Sequence, residues 1–272
     1  MSGCAANPSP DPLTPRSGES SYPALLVDDD GGRRQASLAA WAGFTRDQGI
    51  NNAPAPELHP VTATIRDIPL FSQSSLHLPL VGESRPMSED ETREALRRFI
   101  SRAGILLCGE PQQLSLIQRV DGADGVKEAR YQQRPFRYAL RGGYGELRIS
   151  FTPDGRVTRL SSTCIPETER IRRGFVGLGQ QLIPFEKVIA GVVGHAVNLI
   201  TADGAGQVLT VTDKDSIRVK ELVVYPIERV GEPAVLEFHL AWEIVVDGTP
   251  GATIYVDSIT GDVLAALPGR PS

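Results

Sequence analysis

The residues with the widest chemical repertoire are the four histidines, His59, His77, His195 and His239. Imidazole is the side chain that both ligates transition metals and exchanges protons near neutral pH. His239 stands in an alternating run in which Glu237, His239 and Glu243 share one strand face. Those three define a possible hydrolase, with carboxylates beside an imidazole. The same three also fit a polar strand face that meets solvent or a protein partner. A zinc protease needs two His one helical turn apart with a Glu between them, and no such spacing occurs here. Ser161-Ser162-Thr163-Cys164 has no Gly-x-Ser-x-Gly around it. Asp28 to Asp30, and Asp213 with Asp215, lack the spacing of a calcium loop. The expectation is therefore no catalytic residue, no cofactor and no metal, with Glu237, His239 and Glu243 as a candidate partner-binding face.

Three cysteines carry a second kind of chemistry. Cys4, Cys108 and Cys164 lack metal-site or redox spacing. In an exported chain Cys108 and Cys164 are expected to form a disulfide, which closes a loop worth roughly 4 kcal/mol through the unfolded state. Met1-Ser2-Gly3-Cys4 resembles the end of a bacterial lipobox, although no basic and apolar stretch precedes it. Cys4 is accordingly a candidate for lipidation and membrane attachment, or else a lone thiol in a tail.

Charge narrows the partners. With 28 Lys and Arg against 33 Asp and Glu, the net charge of -5 gives no general attraction for nucleic acid. Within that acidic total, Arg134, Arg137, Arg141, Arg148, Arg156, Arg159, Arg170, Arg172 and Arg173 concentrate positive charge in the stretch 61–180. They fit either an acidic partner surface or a solvated strand face.

The elements that must position these groups divide the chain into three stretches. Residues 1–60 read as a long disordered Pro/Ser/Gly-rich tether, with at most a marginal helical turn or two around Leu38, Trp41 and Phe44. Residues 61–180 read as a first α+β module. Ser88 with Glu91 forms a capping box, and Ala95, Leu96, Phe99, Ile100 and Ala103 recur at helical spacing up to Gly104. Strands are expected at Phe136 to Arg141, Leu147 to Phe151 and Val157 to Leu160.

Residues 181–272 read as a second module of the same order. Pro184 opens a helix whose apolar face runs from Phe185 to Ile200. Strands follow at 207–212, 217–225, 236–246, 252–257 and 263–267. Phe151 to Val157 and Val256 to Val263 match as a strand end, a polar turn with Gly and a returning Val, which implies an internal repeat. The expected fold is α+β, two similar modules, each a helix packed on an antiparallel meander.

The closing residues resemble a known family. Trp242-Glu243-Ile244-Val245-Val246-Asp247-Gly248, then Ile254-Tyr255-Val256-Asp257-Ser258-Ile259-Thr260-Gly261-Asp262-Val263-Leu264, resembles the end of a PepSY domain. Pro184-Phe185-Glu186-Lys187-Val188 resembles its helix start, and Gly145 to Val157 is similar to an FTP segment. FTP and PepSY together form the propeptide of thermolysin-like metallopeptidases. The resemblance implies an extracytoplasmic, non-enzymatic binder, lipid-anchored or secreted, that captures or inhibits a peptidase or other envelope protein. No His-Glu-x-x-His follows in this sequence. A propeptide fragment of a longer peptidase precursor is the alternative.

Overall fold

The computed structural model describes residues 22–28, 31–69, 75–83, 85–107, 111–122, 125–200, 206–229, 231–232, 234–248 and 251–269. Cys4 and Cys108 lie outside them. The expected tether is corrected from residue 22 onward. Strand β1 (Ala24–Val27) and helix α1 (Gly32–Asp47) both fall inside it, followed by the short strands β2 (Glu57–Leu58) and β3 (Ile65–Asp67). Tertiary burial makes these elements. Leu26 is fully buried, and Trp41 and Phe44 enter a core with Leu96 and Phe99. The Phe44 and Phe99 rings meet edge to face at 5.4 Å, and Trp41 Nε1 donates to the Pro54 carbonyl at 2.8 Å. A helix whose own periodicity is weak holds because a neighbour supplies the apolar surface.

Helix α2 (Glu89–Ala103) forms where its signals lie. The Glu91 amide donates to Ser88 Oγ at 3.3 Å, and the Ser88 amide donates to the Glu91 carboxylate at 2.7 Å. Its apolar face packs on a four-stranded antiparallel sheet. That sheet contains β4 (Leu114–Asp121) and β5 (Lys127–Gln133), which the sequence reading did not anticipate. The strand expected at Phe136 to Arg141 shrinks to β6 (Ala139–Leu140), which leaves this sheet altogether. Strands β7 (Glu146–Phe151) and β8 (Val157–Ser162) complete the order β4-β5-β7-β8.

After helix α3 (Thr168–Gly174) the second helix is shorter than expected. Helix α4 covers Phe185–Val192, and β9 (Ala196–Ile200) replaces the rest. Gly194 adopts φ 81, outside any helix. Val197 and Leu199 are buried at alternate positions, so period two replaces period 3.6. Strand β9 pairs with β10 (Gly206–Thr210) as a hairpin. Strands β11 (Ile217–Glu228), β12 (Val235–Val246), β13 (Ala252–Asp257) and β14 (Val263–Pro268) then form an antiparallel meander close to the predicted spans.

The two sheets are not independent. β1 pairs with β12, matching Ala24 to Phe238, and β6 pairs in parallel with β11, matching Ala139 to Val223. The buried face of β12 is therefore covered twice. Leu236, Phe238 and Leu240 pack with Leu26, Leu140, Ile171 and Leu178, whereas Ile244 and Val246 pack with Val188 and Val192 of α4. The boundary expected at residue 180 is crossed by packing and by strand pairing. The fold is mixed α+β. The β7–β8 and β13–β14 turns do match in geometry. Each has a register shift just before its last pair, Phe151 with Val157 and Val256 with Val263. Each also has a glycine at φ 81 or 83, Gly155 and Gly261, a region that glycine enters without steric cost.

Candidate functional site

Strand β12 carries the three residues singled out above, and its second edge is shared. β1 pairs along Val235–Phe238 and β13 along Ala241–Val246, so His239 and Leu240 fall between two partners. Backbone groups left there must find other partners. The Leu240 amide donates to Tyr22 Oη at 3.0 Å, and the Leu240 carbonyl accepts from the Ser258 amide and hydroxyl, both at 2.8 Å.

The same junction organises the ionisable groups. His239 Nδ1 lies 2.7 Å from Asp257 Oδ2, and Nε2 lies 3.4 Å from Glu237 Oε2. Tyr22 Oη donates to Asp257 Oδ2 at 2.9 Å. Asp257 Oδ1 accepts from the Ile259 and Thr260 amides at 2.7 and 3.0 Å, which caps the β13–β14 turn. Asp257 is 1% exposed. Burial pushes its carboxyl up, but the bonds from His239, the two amides and Tyr22 outweigh burial and hold it below the usual range. Burial, and then the Asp257 charge, push the Tyr22 phenol far up.

Glu243 belongs to a separate cluster. It accepts from Lys220 Nζ and Arg141 Nε, each at 2.8 Å, and Arg141 also pairs with Glu221. Burial raises the Glu243 carboxyl, and the two cations outweigh burial and lower it. Tyr225 and Tyr255 lie close by on the same face, with ring centroids 4.3 Å apart. Burial pushes the Tyr255 phenol up to about 12.

The structure thus brings Glu237 and His239 together and leaves Glu243 apart. It also corrects the expectation of a solvated face. His239 and Glu243 are only 9% and 4% exposed, and each is held by fixed internal partners. Glu237 is bound in turn by Arg229 Nε at 2.7 Å. The two carboxylates on His239 address opposite ring nitrogens, so they cannot converge on one ion. Among the described residues, no group of three or more His, Cys, Asp or Glu is placed to hold a metal. Sequence reasoning missed Tyr22 and Lys220 as site residues, and it named Arg141 and Asp257 without placing them beside Glu243 and His239. The cap itself had a signal, an Asp two residues before the amide it caps.

The remaining candidates lie elsewhere. His59 Nδ1 accepts from the Val61 and Thr62 amides at 3.3 Å each, and its ring meets Tyr144 edge to face at 5.6 Å. Tyr144 Oη donates to Glu228 at 3.0 Å. Burial, aided by Arg66 and opposed by Glu228, lowers the His59 imidazole. His77 contacts the Ser75 carbonyl, and His195 is exposed. Among the described residues Cys164 has no disulfide partner; it is fully buried, and burial pushes its thiol up to about 12. The expected disulfide to Cys108 and the expected lipid on Cys4 concern residues outside the described ones. Among the described residues, no helix is long and apolar enough to cross a membrane.

These features define a mixed α+β protein with a four-stranded and a six-stranded sheet and a buried polar junction on β12. No family model matches the sequence, and no curated protein matches it. A solved structure described as the Bacillus megaterium YpeB C-terminal domain is similar to this chain at a TM-score of 0.31 and 11% identity. The match covers 70% of this chain and 68% of that one.

Proposed function

We propose that the chain is a non-enzymatic, extracytoplasmic PepSY-like protein that binds a peptidase or another envelope protein and restrains it. The observation that carries this reading is the state of Asp257 within the PepSY-like ending. Its carboxylate closes the turn through Ile259 and Thr260 and takes up Tyr22 and His239. The motif residues therefore act as scaffold. Both His239 nitrogens face carboxylates, which leaves the imidazole no free position for proton transfer to a substrate.

The matched turns at Gly155 and Gly261 support reading the two halves as an internal duplication of one helix-on-meander unit. Export, lipidation at Cys4 and a Cys108 to Cys164 bridge belong to the same proposal. The test is direct. Purified chain added to a panel of thermolysin-like peptidases should slow at least one of them with saturable dependence on concentration. Unchanged rates across the panel would count against restraint. Intact mass from the native host should show acyl groups on Cys4, and an unmodified thiol there removes the anchor from the proposal.

A further inference from the structure

The connection from β5 to β7 encloses a pocket of about 410 Å³ beside β11. Three guanidiniums, those of Arg134, Arg137 and Arg141, line it against one carboxylate, Glu221. Glu221 is already paired with Arg141. Arg134 and Arg137 are exposed, and among the described residues neither makes an ion pair. Phe136 and Tyr138 alternate with them, and the Arg137 guanidinium carbon lies 5.9 Å from the Tyr138 ring centre. The groove between α2 and β4 is the instructive contrast. There Asp90 and Glu94 balance Arg93 and Arg97, and the two pairs are formed internally. The pocket beside β11 combines concavity with two guanidiniums, Arg134 and Arg137, that have no carboxylate partner among the described residues, in a chain whose net charge is -5.

A second feature lies beside it. β11 is paired with β12 along nearly its whole length, but β6 covers its other edge only at Val223 and Val224. Among the described strands, none pairs with that edge over 217–222. An uncovered ladder edge offers alternating backbone donors and acceptors, both of which an extended peptide matches, whereas a phosphodiester backbone supplies acceptors alone. Guanidinium groups complement carboxylates by bidentate hydrogen bonding.

We infer that this pocket binds an extended, carboxylate-rich segment of a protein partner, laid along the open edge of β11 with its acidic side chains on Arg134 and Arg137, Arg141 being held already by Glu221 and Glu243. The inference rests on the reading of the chain as a protein-binding module and names the chemistry of what it holds.

The experiment uses the full chain and a labelled extended peptide of alternating Glu and Val, followed by fluorescence anisotropy. The matched peptide with Gln for Glu, a single-stranded oligonucleotide and inorganic polyphosphate serve as comparisons. The Glu peptide should bind, the Gln peptide should not, and affinity should fall as salt rises. R134A/R137A should weaken binding by about tenfold or more, and R137E alone should act in the same direction. R156A/R159A removes the same charge from exposed positions outside the pocket and should leave affinity within about twofold. Equal binding of the Gln peptide, equal loss in R156A/R159A, or polyphosphate or the oligonucleotide binding as tightly as the Glu peptide would each overturn the inference. Thermal unfolding of R134A/R137A should stay close to the parent's, because among the described residues both side chains are exposed and without ion pairs, and Arg137 gives up only a surface contact with the Tyr138 ring. Slowing of a peptidase is read on the whole chain, so a peptide that fails to bind overturns this pocket while restraint stands or falls separately.

Discussion

Tyr22 Oη and Asp257 Oδ2 meet at 2.9 Å although 235 positions separate them in the chain. The phenol also accepts the Leu240 amide, so one side chain closes the gap that β1 and β13 leave on β12. Replacing Tyr22 by Phe keeps the ring and deletes both bonds. It should destabilise the chain by about 1–3 kcal/mol in urea unfolding, the range for a buried group left unpaired. Hydrogen exchange of the Leu240 amide should rise in the same variant, and unchanged protection there would show that the gap is closed by something else.

Asp257 is held below its ordinary value of 3.8 in the folded chain. The unfolded chain therefore takes up the proton first as pH falls. The stability that Asp257 contributes is complete above the unfolded value and is lost as pH drops through the folded one. D257N should lower stability near neutral pH by about 1–3 kcal/mol. It should also flatten the acid limb of the stability curve. An acid limb identical to the parent's would reject the assignment.

His59 gives a second pH dependence with a different window. Its Nδ1 accepts two backbone amides, which a protonated Nδ1 cannot do. The folded imidazole titrates below 6.5, chiefly through burial. As pH falls from 6.5 toward the folded value, the unfolded state binds the proton and the folded state does not. Stability should fall over that interval with a slope of up to about 1.4 kcal/mol per pH unit, and then level off. H59Q should lose this slope. A slope that persists in H59Q would place its origin in another group.

Trp41 tests the N-terminal correction. It is 2% exposed and packs against the core that α2 builds. W41A should cost about 3–5 kcal/mol, as for a large core aromatic cut to methyl. A tether would give a change near zero, and denaturant melts separate the two readings.

The sequence by itself determined what local physics dictates. Ser88 and Glu91 fix the start of α2, and Gly104 fixes its end. Strict alternation in β12, and the Gly turn at Gly261, locate the last three strands. The polar set Glu237, His239 and Glu243 was also legible as a set, because residues two apart on a strand share a face. Long-range pairing decided the rest. Ala24 to Val27 carries only a short apolar run between Pro23 and Asp28, and it becomes a strand because β12 has an open edge and buried surface to offer. The stretch from Ala196 to Ile200 fits a helix and a strand alike, and the hairpin to β10 chooses the strand. Tyr22 joins Asp257, and Arg141 joins Glu243, for the same reason. Hydrogen bonds between distant residues leave no periodic trace in either segment, so only the folded chain brings those partners together.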